Sequence, residues 1–456
     1  MNSFYTAIVS GILFPLHERL KQHSTVSVRK AMDESQWWNA SHLRELQLKR
    51  LKVLLRHSQI HVPYYRELFA NIGFKPESVT DLADLMHLPL LTKADIRAHT
   101  EELKADDTKG LARFNTGGSS GEPLIFFIGS ERVSHDVAAK WRATRWWGVD
   151  IGDPEIVVWG SPIELGGQDR IKVLRDKLLR TRLLPAFEMS ETRLDEFITE
   201  FRAVRPKMLF GYPSALTHVA QHAKARGIRM DNLGIKVAFV TSEALYDHQR
   251  KIIEATFDCP VANGYGGRDA GFIAHQCPSG NMHITAEDII VEIIDASGNS
   301  LPAGESGEIV ITHLATRDFP FIRYRVGDVG MLDDQPCPCG RGLPLLKQIQ
   351  GRTTDFVVAQ NGTVMHGLAL IYILRDLPGV RQFRIIQESL ELTRIQLATD
   401  DAFREISCSV IVAGIKERLG QTVTVEIERV ADVPKEASGK FRYVVSQVQL
   451  PAKNTE

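Results

Sequence analysis

Cysteine and histidine are the residues whose spacing most directly suggests chemistry in this 456-residue chain. Four of them fall in two loops on either side of a predicted β segment: Cys277, His283, Cys337 and Cys339. Three thiolates and one imidazole make a tetrahedral soft-donor set of the kind that Zn²⁺ prefers at a structural site. His275 is a competing nitrogen ligand, and the alternative is a buried Cys-Pro-Cys turn with Cys277 as a small apolar residue. The spacing predicts a zinc knuckle over 277–339.

A segment rich in glycine and hydroxyl groups is the second candidate site. It runs over 115–123, and its central residues are Thr116, Gly117, Gly118, Ser119, Ser120 and Gly121. Glycines leave backbone N–H groups free to converge on an anion and hydroxyls add donors, which suits a polyphosphate. The segment lacks the Gly-Lys-Ser/Thr ending of a nucleotide-triphosphatase loop. A plain turn between two strands is the alternative interpretation.

Further short segments follow this one in a fixed order along the chain. They are Thr-Ser-Glu at 241–243, Asn-Gly-Tyr-Gly-Gly-Arg-Asp at 263–269, Arg-Tyr-Arg-Val-Gly-Asp at 323–328, Gly-Arg-Thr-Thr-Asp at 351–355 and Ser-Gly-Lys-Phe-Arg at 438–442. Together they resemble the ordered signature of the adenylate-forming superfamily, which joins acyl- and aryl-CoA ligases, luciferases and peptide-synthetase adenylation domains. The likeness is strongest for the phenylacetate-CoA ligase branch, including members associated with capsule biosynthesis, and covers roughly residues 40–445. Some proteins of this branch carry a similar cysteine knuckle.

The resemblance implies a reaction in which a substrate carboxylate attacks the α-phosphate of ATP and expels pyrophosphate. The implied catalytic residues are Lys440, between the α-phosphate and the carboxylate, and Asp269, near Mg²⁺. The implied nucleotide-binding residues are Thr116, Gly117, Gly118, Ser119, Ser120 and Gly121 at the β- and γ-phosphates, Glu243, Tyr265 and Gly266 at the adenine pocket, Asp328 at the ribose, and Arg352 at the ribose or a phosphate. The implied substrate-binding residues are Tyr212, Pro213, Gly264 and Gly267, with 159–162 as a second candidate wall. Lys440 would lie on a mobile lid that rotates about 351–355.

Three positions depart from the family pattern. Glu122 stands where the phosphate loop commonly has lysine, which replaces a cation by an anion beside the polyphosphate. Thr354 stands where the hinge usually has aspartate, with Asp355 next to it, and Arg268 stands where serine or threonine is common. Lys440 and the ribose carboxylate are retained. Glu122 would slow chemistry at the pyrophosphate unless its side chain points outward, and Thr354 makes the match at the hinge weaker.

The hydrophobic pattern predicts the elements that must position these residues. Apolar residues at helical spacing predict a helix over 41–69 broken by Pro63, and Trp141, Trp146 and Trp147 at helical spacing are expected to be buried. Predicted strands are 124–128, 156–158, 208–210, 237–240, 289–294 and 309–312, and predicted helices are 131–147, 191–203, 214–226 and 244–256. After Gly351 come strands near 382–387, 391–399 and 422–429 and helices near 367–376 and 402–419. The predicted fold is α/β, with a large multi-sheet N-terminal α/β body over 1–350 and a small C-terminal α+β lid over 351–456.

Composition limits the class of protein and its partners. Lys plus Arg number 55 against 56 Asp plus Glu, so no overall basic field exists to hold nucleic acid. Five cysteines are too few for a disulfide framework, so we expect a reducing, cytoplasmic location with Cys259 and Cys408 as core residues. The apolar run at 8–16 is too short to cross a bilayer, which takes roughly 20 residues. It predicts a packed or interfacial helix, with peripheral contact at the inner membrane surface as an open alternative.

The leading functional hypothesis is an ATP- and Mg²⁺-dependent ligase that makes an acyl- or aryl-adenylate and passes the acyl group to CoA or to a carrier-protein thiol. The predicted partners are a small carboxylic acid, ATP and that thiol acceptor, with no nucleic acid, no transmembrane segment and a homodimer as an open alternative. The second hypothesis is an adenylating acyl-transfer enzyme of capsule or exopolysaccharide biosynthesis. The third is a binding protein that keeps the fold without catalysis.

Overall fold

The structure is a computed structural model that describes residues 2–116, 124–159, 175–186, 189–352, 356–366, 368–375, 377–433 and 442–448. Within these ranges the chain divides into two compact units. The first unit takes in the described residues of 1–326 and 331–348. The second takes in those of 327–330, 349–436 and 440–456. Mixed α/β architecture with a large sheet and a smaller C-terminal sheet confirms the predicted fold class.

Helices make up the N-terminal part of the first unit. The α-helices of this unit are α1 (Asn2–Ile8), α2 (Phe14–Leu20), α3 (Thr25–Ser35), α4 (Ala40–His61), α5 (Pro63–Ile72), α6 (Lys93–Ala98), α7 (Ser130–Arg145), α8 (Glu191–Val204), α9 (Pro213–Ala225) and α10 (Asp247–Phe257). A π-helical turn, Val9–Leu13, joins α1 to α2. The side chain of Asn39 caps α4 by accepting from His42 N, and Pro63 separates α4 from α5, as the sequence predicts.

An eleven-stranded sheet forms the centre of the first unit. Its strands are β3 (Glu155–Trp159), β4 (Thr181–Pro185), β5 (Met208–Gly211), β6 (Val237–Thr241), β7 (Val261–Gly267), β8 (Gly271–Gln276), β9 (Met282–Ile284), β10 (Ile289–Ile294), β11 (Ser306–His313), β12 (Tyr324–Asp333) and β13 (Leu345–Arg352). Their order is β10-β11-β12-β13-β9-β8-β7-β6-β5-β3-β4. A separate hairpin pairs β1 (Ala112–Asn115) with β2 (Ile125–Ile128).

The parallel part of the large sheet is its most buried part. Strands β4, β3, β5, β6 and β7 run parallel to one another in that order. Every residue of β5 and β6 is buried, because helices cover both faces of a parallel sheet and leave no polar side. Leu209, Leu216, Ile253 and Phe257 belong to one core cluster that joins the sheet to α9 and α10.

The described residues of the second unit form two small sheets and two helices. Strands β16 (Val380–Gln387), β17 (Leu392–Thr399), β18 (Thr424–Arg429) and β19 (Val444–Ser446) form a sheet of order β18-β17-β16-β19. Strands β14 (Phe356–Val358) and β15 (Val364–His366) form a hairpin. The helices are α11 (Leu368–Arg375) and α12 (Ile406–Leu419). Ile411, Ile415 and Leu419 of α12 are buried, which gives this unit a core of its own.

Candidate functional site

Three predicted site segments lie at one edge of the parallel sheet. Strands β5, β6 and β7 are neighbours, with Gly211 paired to Val240 and Thr241 paired to Gly264. The chain just beyond β5 and β6 carries Tyr212 and Glu243, and Tyr265 lies within β7 near its carboxyl end. Because ligands of open α/β sheets bind outside the carboxyl ends of the strands, this edge is the candidate ligand-binding edge.

Glu243 is held at the start of helix α9. Its carboxylate Oε2 accepts a hydrogen bond from the backbone N–H of Ser214, at 3.2 Å. Free N–H groups and the helix dipole favour an anion at this position. The preceding residue, Ser242, has a φ of +71°, a left-handed conformation that is uncommon for a residue other than glycine. The turn that presents Glu243 is therefore locally strained, as residues at functional sites often are.

Tyr212 forms an aromatic wall beside this edge. Its ring stacks on Trp159 with centroids 4.3 Å apart, and Trp159 contacts Phe210 at 5.7 Å. Only 1% of Tyr212 is exposed, and Pro213 is buried at the first position of α9. These residues are packed against the sheet rather than projecting into solvent. Trp141 is buried as predicted, whereas Trp146 and Trp147 are half-buried.

The base of the glycine-rich segment is fixed by hydrogen bonds. Thr116 N donates to Leu124 O, and Leu124 N donates to Thr116 Oγ1, both at 3.0 Å. These two hydrogen bonds extend the β1–β2 pairing by one residue on each strand. Thr116 and Leu124 therefore close the base of the segment. Residues 117–123, which include Gly117, Gly118, Ser119, Ser120, Gly121 and Glu122, lie outside the described residues.

The turn that carries Asp269 connects β7 to β8. Tyr324 Oη donates to Asp269 Oδ2 at 2.6 Å, and Tyr324 is fully buried. A Cβ on Gly267 would meet Asp269 Oδ1 at 2.7 Å, so a side chain at this position would displace the carboxylate. Arg268 Nη1 reaches Asn115 O at 3.5 Å, which joins the turn to the base of the glycine-rich segment. Thr116 and Asp269 are therefore on neighbouring parts of one unit.

Buried charges support this turn from below. Arg132 donates from Nη2 to Arg268 O at 3.0 Å and lies 3.4 Å from Asp136 Oδ2 through Nε. Gly271, which begins β8 at a φ of +78°, leaves room for Asp136 and His313, because a Cβ there would approach them to 3.0 and 2.8 Å. The turn that carries Asp269 therefore packs against a network of buried charged side chains.

Asp288 lies in the same region, and its titration makes the stability of the fold depend on pH. Its Oδ1 lies 2.7 Å from His135 Nδ1 and 2.7 Å from Arg50 Nη1. Burial raises the pKa of Asp288, but the positive charges of His135, Arg50 and His313 outweigh burial and lower the pKa from 3.8 to about 2. Because the pKa is lower in the folded chain, the stabilisation is complete above the ordinary pKa and is lost as the pH falls through the folded value.

We therefore expect the free energy of unfolding to fall by about 2 kcal/mol from this group as the pH decreases from 4 to 2. Urea unfolding at several pH values measures it. Asp288→Asn should be less stable than the wild type at pH 7, because it leaves a buried cation unpaired, and should show a smaller loss between pH 4 and 2. An equal acid slope in both proteins would contradict the assignment.

The four predicted zinc ligands come together in the first unit. The donor atoms of Cys277, His283, Cys337 and Cys339 all lie within 4.8 Å of one another. Cys277 Sγ is 3.7 Å from Cys337 Sγ, and Cys339 Sγ is 3.2 Å from His283 Nε2. Sulfur ligands about 2.3 Å from a tetrahedral zinc are roughly 3.8 Å apart, so the thiol pair has a suitable separation. The residues present fit a closed structural metal site.

The surroundings prepare His283 to act as a ligand. Its Nδ1 lies 3.2 Å from Leu343 O, so a proton on Nδ1 is used by the carbonyl and Nε2 faces the thiols. Burial lowers the pKa of His283 to about 4, so the imidazole is neutral at pH 7. Asn281 Nδ2 donates to Cys337 Sγ at 3.2 Å. Trp146 contacts the His283 ring edge to face at 5.6 Å and shields the cluster.

The alternative prediction, in which His275 is the nitrogen ligand, is wrong. Its ring packs between Phe239 and Phe272, with centroids 5.8 and 5.3 Å away. Neither ring nitrogen has a hydrogen-bond partner among the described residues, and His275 lies outside the four-donor cluster. Burial lowers the pKa of His275 to about 3, so this histidine is a neutral core residue.

The remaining predicted residues are divided between the second unit, strand β7 of the first unit and the residues outside the described ranges. Asp328 lies in β12 within the short stretch 327–330 that belongs to the second unit, and Arg352 ends β13. Lys440 and the hinge residues 353–355 lie outside the described residues. Gly264 and Gly266 are in β7, where Gly266 follows a register shift after Tyr265.

Sequence reasoning missed the residues that support the site. Tyr324 stands inside a recognised segment, but no pattern singled it out as the partner of Asp269. Arg132, His135 and Asp288 lie in an ordinary helix and a strand entry, and Asn281 stands in a short turn. Charged residues at helical spacing in α7 are the sequence signal that could have indicated Arg132 and His135.

Sequence comparisons define the class of protein. A family model described as the CapK C-terminal domain matches residues 357–447. Protein CapK of Staphylococcus aureus is 22% identical over 97% of this chain and 96% of its own length. Phenylacetate-coenzyme A ligase of Thermus thermophilus is 25% identical over 88% of this chain and 96% of its own, and that of Aromatoleum evansii is 28% identical over 69% and 72%.

Solved structures agree on the fold. A 2-hydroxyisobutyryl-CoA ligase in a postadenylation state superposes with a TM-score of 0.73 at 20% identity, covering 91% of this chain and 93% of that one. The fold is that of adenylate-forming ligases with a C-terminal lid domain. Together these comparisons support the adenylate-forming superfamily, in its phenylacetate-CoA ligase-like branch, as the family that this chain resembles. Among the described residues, every helix is too short or too polar to cross a membrane.

Proposed function

We propose that this chain activates a carboxylic acid with ATP and transfers the acyl group to the thiol of coenzyme A. In the first step a carboxylate oxygen forms a bond to the α-phosphorus while the bond to pyrophosphate breaks, which leaves an acyl-adenylate. In the second step the thiolate sulfur bonds to the carbonyl carbon and AMP leaves. Phenylacetate-coenzyme A ligases with similar sequences over most of their length support this proposal.

The observation that carries the proposal is the arrangement at the carboxyl ends of β5, β6 and β7. Tyr212 follows β5, Glu243 follows β6, and Tyr265 lies in the last part of β7. Asp269 follows β7 on a turn tied to the base of the glycine-rich segment. An adenine ring needs an aromatic surface, a polyphosphate needs converging N–H donors, and an acyl group needs an apolar wall. The described part of the first unit holds Tyr265, the base of the glycine-rich segment and the Asp269 carboxylate, which supports the proposal.

Roles for individual residues follow from this arrangement. Tyr265 would stack on adenine, and Glu243 would line the same pocket. Asp269 would hold Mg²⁺, a hard cation that prefers oxygen ligands and that neutralises the phosphate charge developing during transfer. Asp328 and Arg352 would bind the ribose, and Lys440 would neutralise charge at the α-phosphate.

An exchange assay tests the first step. Purified full-length protein is incubated with ATP, Mg²⁺ and labelled pyrophosphate, with each member of a panel of aryl and acyl acids. We expect label to enter ATP only when the correct acid is present, and CoA then to yield a thioester and AMP. ATP binding without acid-dependent exchange would instead support a binding protein that keeps the fold.

Lys440→Ala separates the two steps. The ammonium group acts on the transferring phosphate, so the variant should lose adenylate formation by at least about 100-fold. Thioester formation from a supplied acyl-adenylate should persist, because that step no longer involves the pyrophosphate bond. Lys435→Ala, in the same segment, serves as the control. Equal loss of both steps in Lys440→Ala would contradict the assigned role.

The matched CapK C-terminal domain supports a second candidate acceptor. The matched region, residues 357–447, includes Lys440. In a capsule-type pathway the acceptor would be a hydroxyl or amine of a saccharide rather than a thiol. Once the acid is known, AMP release with CoA, with an amino sugar and with a hydroxylated sugar distinguishes the two candidates.

We also propose that the cluster of Cys277, His283, Cys337 and Cys339 holds a structural Zn²⁺. The cluster lies at one end of β8 (Gly271–Gln276), and the Asp269 turn lies at the other. Six strand residues span roughly 20 Å, so the ion would act through the strand rather than on the substrate. Its role would be to fix the start of β9 and the loop 337–339 against the sheet.

The N-terminal helices support contact with an anionic membrane surface. One face of α1 and α2 is packed on the first unit, with Thr6 Oγ1 bonded to Asp153 at 2.8 Å and the ring of Phe14 against Trp141 at 5.1 Å. The outward face exposes large apolar side chains: Phe4, Ile12, Leu13, Leu16 and Leu20, with Phe4 73% and Leu20 77% exposed. Arg19 and Lys21 flank this face, whereas the carboxylate of Glu18 is buried. An apolar face with cationic flanks fits anionic lipid.

Vesicle sedimentation tests this contact. Full-length protein should bind vesicles containing phosphatidylglycerol, bind neutral phosphatidylcholine weakly and be released by 0.5 M salt, since exposed charges are screened. Ile12→Glu with Leu16→Glu should weaken binding at least tenfold, while Val53→Glu, an exposed apolar position on α4, should not. A stable dimer that depends on Leu16, with no vesicle binding, would assign the face to a second copy and overturn the proposal.

A further inference from the structure

A second group of side chains that could ligate a metal lies in the first unit and shares no residue with the cysteine cluster. His57 and His61 are four residues apart on α4, so their side chains lie on the same face of the helix. Their ring centroids are 4.8 Å apart. Asp107, between α6 and β1, approaches both rings: its Oδ2 is 3.2 Å from His57 Nε2 and 3.8 Å from His61 Nε2.

A further carboxylate orients one of these rings. His61 Nδ1 lies 2.9 Å from Asp106 Oδ1, so a proton on Nδ1 is bound by Asp106 and the lone pair of Nε2 is directed toward Asp107. Arg66 Nη2 also contacts Asp106 Oδ2, at 3.0 Å, which helps to fix the orientation of that carboxylate. The pair of His61 and Asp106 is the arrangement that fixes the tautomer and orientation of metal-ligating histidines.

We propose that His57, His61 and Asp107 form a second metal site, which binds a divalent d-block ion such as Zn²⁺ or Ni²⁺. The donor atoms lie within 4.8 Å of one another, close enough for one ion to contact all three. Two imidazole nitrogens and one carboxylate oxygen are borderline donors that suit such ions better than Mg²⁺ or Ca²⁺. The side chains are 15%, 33% and 43% exposed, so water completes the coordination.

The site would fasten a connecting segment to α4. Asp106 N already donates to His61 O at 2.8 Å, and Ala105 N donates to Asp318 O at 3.0 Å. Asp107 is five residues before β1, which leads into Thr116 and the glycine-rich segment. An ion bridging Asp107 to two histidines would close this connection, and because the unfolded chain lacks the arrangement, binding would raise thermal stability.

Titration with Ni²⁺ tests the site in the full-length protein. The protein is first loaded with Zn²⁺ and then washed with a weak chelator on a desalting column, so that the buried cysteine cluster stays loaded and the exposed histidine site is emptied. We expect calorimetry to detect one further equivalent of Ni²⁺ and the melting temperature to rise with Ni²⁺ concentration. His61→Asn and Asp107→Asn should each weaken this binding at least tenfold.

Two controls make the result specific. His87→Asn, at another exposed histidine, should bind as the wild type does. Asp106→Asn removes the orienting carboxylate but no ligand, so it should weaken binding less than Asp107→Asn does. Absence of binding beyond the cysteine cluster, or equal Ni²⁺ affinity in the wild type, His61→Asn and Asp107→Asn, would overturn the proposal. Circular dichroism checks that each variant is folded.

Discussion

Replacing Cys337 by serine is expected to remove the proposed zinc ion and to lower the free energy of unfolding of the first unit by about 3 kcal/mol or more. Structural zinc contributes roughly 10–16 kcal/mol of binding free energy in small zinc-dependent domains, whereas a typical single substitution costs about 1 kcal/mol. Cys337 is 6% exposed and Cys277 is fully buried, so water cannot replace a lost thiolate without entering the core.

Metal analysis by mass spectrometry and urea unfolding measure the two effects. Wild-type protein should carry one Zn²⁺ per chain at the cysteine cluster, and a chelator strong enough to remove it should lower stability by an amount similar to Cys337→Ser. Cys408→Ser is the control, because Cys408 is a half-buried thiol on α12 outside the cluster. Unchanged zinc content in Cys337→Ser would contradict the assignment of Cys337 as a zinc ligand.

The regular part of the fold was predictable from hydrophobic pattern. Strand β10 is found at its predicted bounds, and β5 and β6 each extend one residue beyond them, because a fully buried strand is a continuous apolar run. Helix α10 begins at Asp247, three residues later than predicted, because Tyr246 and Gln249 form a capping box there.

Strand β7 shows why other elements were not predicted. Its sequence, Val-Ala-Asn-Gly-Tyr-Gly-Gly, contains three glycines and no apolar alternation. It becomes a strand because β6 pairs with it on one side and β8 on the other. Such pairing is a tertiary effect, and propensity does not contain it.

The metal cluster was predictable because its residue types are rare and specific. The choice between His275 and His283 was not, because these residues are direct partners across β8 and β9 and share the sheet face. What separates them is the packing of Phe239 and Phe272 around His275 and the loop that brings Leu343 O to His283. Both depend on side chains far away in sequence.

The second large effect is expected at Asp269. If this carboxylate holds Mg²⁺, Asp269→Asn removes a charged ligand from the ion that neutralises the phosphates, a loss of several kcal/mol at the transition state. We expect acid-dependent exchange to fall by at least about 100-fold. Higher Mg²⁺ concentration should restore little of it, because the neutral amide oxygen is a weaker ligand for a hard cation.

Tyr324→Phe gives the graded counterpart of this change. The variant removes the 2.6 Å hydrogen bond to Asp269 Oδ2 but leaves the carboxylate, so Mg²⁺ should bind 10- to 100-fold more weakly, about the effect of losing a group that orients a metal ligand. Saturating Mg²⁺ should then return most of the activity. Tyr65→Phe is the matched control, since the Tyr65 hydroxyl is also buried but bonds to backbone at Pro320 and Ile322. That variant should lose stability and keep the wild-type Mg²⁺ dependence; a Tyr324→Phe enzyme whose loss is the same at every Mg²⁺ concentration would show that the tyrosine acts on the fold rather than on the ion.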